Sequence, residues 1–252
     1  MGFVIKYGGN AMTDDATRAA VAARIRTLRP GGVPPVVVHG GGPFIQAALD
    51  EAGLEHHFVR GLRVTSAASL AVVERVVTLL GKRLAHEIGG AVALTGRDAG
   101  LLVAEAFDPD LGRVGRMRTV NAAVLRALRV ADLVPLVGCI ALDDAGAALN
   151  VNADEVAGAV AGALGEGVVF LTNVPGVLDD PAHEDSLLPR LTAAEAQERI
   201  EDGRIAGGMI PKVGSALTAL ALGAPYAVVA DGRDVAGVER ALSGGGTRVV
   251  QS

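Results

Sequence analysis

Val4-Ile5-Lys6-Tyr7-Gly8-Gly9-Asn10 runs a short apolar strand straight into a glycine pair, with a lysine at the strand's end. Phe3 to Ile5 read as a strand, and two consecutive glycines stop it. Side-chain-free peptides leave N–H groups open to phosphate oxygens, and the ammonium beside them adds a point charge. A strand-ending turn with a solvated lysine fits the same residues. The spacing G-x-x-x-x-G-K-[ST] is missing, so a phosphate reading needs partners elsewhere in the chain.

Strand and helix patterns alternate outward from this stretch, which predicts βαβ units and a mainly parallel sheet. Thr13 is placed to cap a helix from Asp14 to about Leu28, ended by Pro30-Gly31-Gly32. Pro35 to Val38 form an apolar strand that runs into His39-Gly40-Gly41-Gly42-Pro43, with a helix behind to about Ala52. This is a second glycine junction, again in front of a helix N-terminus that favours an anion. A tight strand-to-helix turn is the alternative. The dinucleotide fingerprint fails, because Ile45 occupies the position of the third glycine.

Phe58 to Thr65 read as a hairpin bent at Gly61, with Arg63 among apolar neighbours. An unpaired guanidinium is costly there, so Arg63 calls for a carboxylate, either of the protein or of a substrate. His56 and His57 lack companions at ligand spacing and read as surface residues. Ser66 begins a helix to about Glu87 with the stripe Leu70, Val73, Val77, Leu80 and Leu84. Val72, Val76 and Leu79 widen the stripe, for another subunit or for more intramolecular core. Short strands follow to Val120, Asn121 caps a short helix, and Val134 to Leu142 form one long strand before a turn at Asp143–Gly146.

Asn150-Val151-Asn152-Ala153-Asp154 sits at the mouth of a helix from Ala153 to Leu164. Asn152 suits the N-cap and Asp154 the first turn, whereas Asn150 needs a partner of its own. Val168 to Thr172 form a strand ending in Asn173-Val174-Pro175-Gly176. Thr192 and Glu195 make a capping box. Gly207-Gly208-Met209-Ile210-Pro211-Lys212 then opens an apolar helix, which puts Lys212 near the positive end; a bound anion resolves that conflict.

Composition narrows the classes further. Half of the 252 residues are apolar and 3% are aromatic, so the core is built from Val, Leu, Ile and Ala. A net charge of −5 counts against a nucleic-acid surface. Cys139 is alone in an apolar run, which excludes an internal disulfide or a cysteine zinc site and reads as a buried thiol. No signal-peptide pattern opens the sequence, and Ala216 to Ala230 is interrupted by Thr218, Gly223 and Pro225. A soluble, cytoplasmic protein without a membrane span is expected. No linker or repeat divides the chain, so residues 1–252 read as one domain.

Five motifs, Lys6–Gly9, His39–Gly42, Gly61–Thr65, Asn150–Asp154 and Gly208–Lys212, occur in the order and spacing of the amino-acid kinase family. The chain resembles that family over its whole length, and within it the members that phosphorylate N-acetyl-L-glutamate. The resemblance implies a three-layer α/β/α sandwich around a mainly parallel sheet, with an N-lobe (about 1–150) for the acyl-amino acid and a C-lobe (about 151–252) for ATP. It implies that Lys6 and Lys212 flank the transferring phosphoryl group and that Asp154 positions both. Gly41, Gly42, Arg63, Asn150 and Asn152 are the implied substrate contacts. Gly8, Gly9, Gly40, Asn173, Gly176 and Leu178 are the implied phosphate and nucleotide contacts, with Mg²⁺ carried on the phosphates and no protein metal site. A carboxylate nucleophile needs no general base, so the lack of a Ser-His-Asp or Cys-His set is consistent.

Asn173 stands where family members commonly carry Asp, and the same Asn occurs in relatives that phosphorylate an aminoadipyl group on a small acidic carrier protein, which raises the alternative of lysine biosynthesis. Gly61–Thr65 and Gly112–Gly115 instead resemble the acetylglutamate-type members. The start of the chain also lacks the N-terminal helix of arginine-inhibited members, so an arginine-insensitive homodimer is expected. A non-catalytic binding module on the same fold is the contrasting class; the presence of Lys6, Lys212 and Asp154 counts against it.

Overall fold

The computed structural model describes residues 2–8, 12–28, 32–180, 183–233 and 235–252, so Gly9, Asn10, Pro30 and Gly31 lie outside the described residues. β1 (Phe3–Tyr7) is followed by α1 (Asp15–Thr27), β2 (Val36–His39) and α2 (Gly42–Glu51). The hairpin β3 (Phe58–Val59) and β4 (Leu62–Arg63) precedes the long α3 (Ala67–Ile88). β5 (Ala91–Leu94), β6 (Leu102–Ala106) and β7 (Val114–Val120) lead to α4 (Ala122–Val130). β8 (Val134–Gly138), β9 (Ile140–Leu142) and β10 (Ala148–Val151) come before α5 (Ala153–Leu164) and β11 (Gly167–Thr172). β12 (Arg190–Thr192), α6 (Ala193–Glu201), α7 (Met209–Ala221), β13 (Tyr226–Asp231), α8 (Val235–Leu242) and β14 (Thr247–Val250) complete the chain.

The eight-stranded main sheet has the order β12-β14-β13-β11-β1-β2-β8-β5, and only β13 with β14 runs antiparallel. β1 is central, hydrogen-bonded to β11 on one side and β2 on the other. Strand alternation then decides which face each residue serves. Val4, Val36, Val38, Val168 and Phe170 pack with Val156 and Val160 of α5 and Ala216 and Ala219 of α7. Ile5, Tyr7, Val37, Val169 and Leu171 pack with α1, α8 and the second half of α3. The chain is a three-layer α/β/α sandwich, and Lys6, two residues after Val4, belongs to the α5 and α7 face.

Several expectations are corrected. Asp14, not Thr13, caps α1, its carboxylate accepting from the Thr17 N–H at 2.7 Å. Asn121 donates to the Ala99 carbonyl and makes no side-chain cap. The long strand from Val134 splits at Cys139, because its second part joins a separate, closed four-stranded sheet of β10, β7, β6 and β9. Val72 and Val76 pack on the intramolecular core, whereas Leu79 stays 64% exposed. His56 is paired with Asp50 at 2.9 Å and is not a free surface residue. No described helix is long and apolar enough to cross a membrane.

Candidate active site

α5 and α7 lie almost backbone to backbone. A Cβ on Gly158 would stand 2.8 Å from the Ala219 Cα, and one on Gly162 would stand 1.9 Å from the Leu222 carbonyl oxygen. Two glycines four residues apart let the second half of α5 approach the end of α7. The first turn of α5, with Asp154, lies beside the middle of α7, where Ser215 follows Lys212 by three residues.

Lys6 Nζ lies 2.8 Å from Asp154 Oδ1 and forms an ion pair with it. The Ser215 hydroxyl donates to Asp154 Oδ2 at 2.8 Å. Burial disfavours the Asp154 carboxylate, but the Lys6 charge, the Ser215 hydrogen bond and the Lys212 charge together hold its pKa below the ordinary value. Lys212 does not touch Asp154: its Nζ donates to the Gly208 carbonyl at 2.8 Å, and its charge acts through space. Asp154 thus contacts Lys6 and not Lys212.

Gly8 and Gly40 line the same spot. A Cβ on Gly8 would meet the Lys6 side chain at 3.4 Å and the Gly40 nitrogen at 3.6 Å, and one on Gly40 would meet Ala153 at 3.6 Å. Gly40 donates to the Tyr7 carbonyl, which ties the two glycine junctions together. Gly41 precedes α2 with no side-chain cap, and Gly42 has open space where a Cβ would go. Behind them, buried His39 donates from Nδ1 to the Gly40 carbonyl at 2.9 Å. Burial pushes the His39 pKa down to about 4, so the ring is neutral and holds this peptide in place.

Arg63 is 8% exposed, and its Nη1 is buried without a hydrogen-bond partner. Phe58 stacks on its guanidinium at 4.6 Å to the ring centroid. Burial pulls the Arg63 pKa down and the Asp50 charge offsets part of this. The hairpin that carries both residues turns through Arg60 and Gly61, each with positive φ (52° and 79°), the requirement of a two-residue type I′ turn. Asn150 donates to Thr65 Oγ1 at 3.1 Å, and Thr65 donates to the Arg63 carbonyl at 2.8 Å. This chain of bonds is the partner Asn150 required. Asn152 is exposed, and its side-chain oxygen accepts from the Asp154 N–H at 2.8 Å as the N-cap.

The segment after β11 divides in two. Asn173 is exposed at the strand's end, but Gly176 (φ 153°) is pressed against Thr247 and Leu187, where a Cβ would lie 2.6 and 2.7 Å from their atoms. Leu178 bridges Leu187. Close packing accounts for Gly176 without a ligand. Cys139 is buried and burial pushes its thiol up to about 11, which leaves it inert. Sequence reasoning missed Ser215; its one available signal is that it follows Lys212 by three residues, on the same helix face.

Residues 1–231 match the amino acid kinase family. This chain belongs to that family. It is 53% identical over 248 residues to the acetylglutamate kinase of Deinococcus radiodurans, covering 98% of this chain and 99% of that protein. It is 42% identical over 251 residues to the acetylglutamate kinase of Methanocaldococcus jannaschii, covering 92% and 83%. The solved structure of smu.665 from Streptococcus mutans UA159 superposes with a TM-score of 0.82 at 28% identity, covering 100% of this chain and 99% of that one. The amino acid kinase fold places the C-terminal ends of β1, β2 and β11 beside the starts of α2 and α5, the crevice where open α/β sheets take ligands.

Proposed function

We propose that this chain catalyses ATP-dependent phosphorylation of the γ-carboxylate of N-acetyl-L-glutamate, forming N-acetylglutamyl phosphate and ADP in arginine biosynthesis. The carrying observation is 53% identity to an acetylglutamate kinase along essentially the whole of both chains. In this reading one carboxylate oxygen bonds to the γ-phosphorus as the bond from that phosphorus to the β,γ-bridging oxygen breaks. No proton moves, so the protein's task is in-line positioning and neutralisation of the equatorial oxygens.

Lys6 and Lys212 are assigned to the transferring phosphoryl group, and Asp154 to the orientation of Lys6. Arg63 is assigned to a substrate carboxylate, supported by its unpartnered Nη1. Gly41, Gly42 and Asn150 line the acyl side in an N-lobe of about residues 1–150. Asn152 joins that set as a neighbour whose oxygen already serves as a cap. Gly8, Gly40 and Asn173 are assigned to the phosphates and nucleotide, with Gly9 outside the described residues; Gly176 and Leu178 shape their segment from within. The nucleotide belongs to the C-lobe of about residues 151–252. Mg²⁺ is assigned to the ATP phosphates, where it would supply charge neutralisation.

Edge strand β5 and exposed Leu79 of α3 favour a homodimer built on that side. The lone buried thiol suits the cytoplasm. The deciding experiment is an ADP-release assay with N-acetyl-L-glutamate and a carrier-linked aminoadipate side by side. Turnover with the first is the expected result, and turnover with the second alone overturns the substrate assignment.

A further inference from the structure

Ser215 has no role in the scheme above, yet its Oγ lies 2.8 Å from Asp154 Oδ2 and 2.9 Å from the Pro211 carbonyl. A hydroxyl carries one proton, so the two acceptors compete for it. The Pro211 contact is the back-bond any helical serine can make. The Asp154 contact is not local, because it joins residues 61 apart in sequence on two different helices. A bond to an ionised acceptor is roughly twice as strong as one between neutral groups, so the proton belongs to Asp154.

The same helix pair runs nearly backbone to backbone at Gly158 and Gly162, one and two turns further along, so a side chain as short as serine spans the gap at Asp154. The carboxylate of Asp154 consequently has two fixed points, Ser215 on Oδ2 and Lys6 on Oδ1. With Oδ2 occupied by a neutral donor, Lys212, one turn earlier on α7, keeps its own contact with Gly208.

We propose that Ser215 is a positioning residue for phosphoryl transfer: its hydroxyl locks the Asp154 carboxylate against rotation, so that Oδ1 holds Lys6 while Lys212 stays free of that carboxylate. The kinetic consequence rests on the phosphotransferase reading, whereas the effect on the carboxylate does not. Losing Ser215 removes one of the contacts that favour ionised Asp154, and the remaining balance shifts toward the desolvation that opposes it.

The test uses the full-length chain with Ser215→Ala, Ser215→Thr, Asp154→Asn and the Asp154→Asn/Ser215→Ala pair. Ser215→Ala is expected to lower kcat roughly 5- to 20-fold and to leave KM for N-acetyl-L-glutamate within about twofold. An NMR titration should show the Asp154 carboxyl protonating at higher pH in Ser215→Ala, and Ser215→Thr should restore both kcat and titration. In the Asp154→Asn background, Ser215→Ala should change kcat by less than about twofold. Unchanged kcat in Ser215→Ala, a loss with the carboxyl titration unmoved, or no rescue by threonine each overturns the proposal. If the unaltered protein does not turn over N-acetyl-L-glutamate, the substrate assignment fails; the titration alone then decides Ser215, a shift supporting it and no shift overturning it.

Discussion

The two ends of the site are built differently. Around Lys6 the charges are already answered by the protein: Lys6 by Asp154, Asp154 also by Ser215, and Lys212 by the Gly208 carbonyl. Around Arg63 the answer is incomplete, with Nη1 buried and unpartnered, an aromatic ring on one face and Asp50 acting from a distance. A self-satisfied cluster keeps its geometry before any ligand arrives and reorganises little during the reaction. An unsatisfied buried cation gains its missing partner only when an anion binds. The first arrangement is suited to lowering a barrier and the second to selecting a carboxylate, so substitutions at the two ends should separate kcat from KM.

The largest break in that contrast is Lys6→Ala. Removing one preorganised positive group from the end assigned to phosphoryl transfer should lower kcat about 10²- to 10³-fold, with a small change in KM for the acyl substrate. Steady-state ADP release over both substrate concentrations checks it. A loss confined to KM would place Lys6 in ground-state binding and erase the distinction between the ends. At the other end, Arg63→Ala should raise KM for N-acetyl-L-glutamate about 10- to 100-fold, the worth of a hydrogen-bonded charge pair. Arg63→Lys should recover only part of it, because an ammonium cannot fork a carboxylate. Equal losses in kcat and kcat/KM for Arg63→Ala would instead tie this end to the transition state.

The same contrast separates what was legible in sequence from what was not. Lys6 with Gly8, the His39–Gly42 run, Asn152 with Asp154 and Lys212 all sit where a strand or loop enters a helix, and such junctions are written in consecutive residues. The mainly parallel sheet was legible in the alternation of strand and helix patterns, whereas its three layers were implied by the family resemblance. The Thr192 and Glu195 capping box is local in the same way, and the structure has it. Ser215 was invisible because its bond depends on how closely α5 and α7 approach, which Gly158 and Gly162 set only once the helices are known to pair. The small closed sheet was missed for a related reason: β7 pairs with β10 across α4 and two strands, and no turn residue announces such a register. Val72 and Val76 were ambiguous because an apolar helix face looks the same whether its partner is the same chain or another.

The finest test of the contrast concerns Phe58, a residue 55% exposed whose ring stacks on Arg63. An exposed cation–π contact contributes about 0.5–1 kcal/mol, and here it fixes the plane of a guanidinium that burial alone would leave with few partners. Phe58→Leu keeps an apolar side chain on the hairpin but removes the π face. KM for N-acetyl-L-glutamate should rise about 2- to 5-fold with kcat unchanged, while thermal unfolding stays where it was because so little area is lost. Steady-state kinetics beside a melting curve reads both. A fall in kcat would mean that the plane of Arg63 matters to the reacting geometry, and the acyl end would then share the catalytic task now assigned to Lys6 and its neighbours.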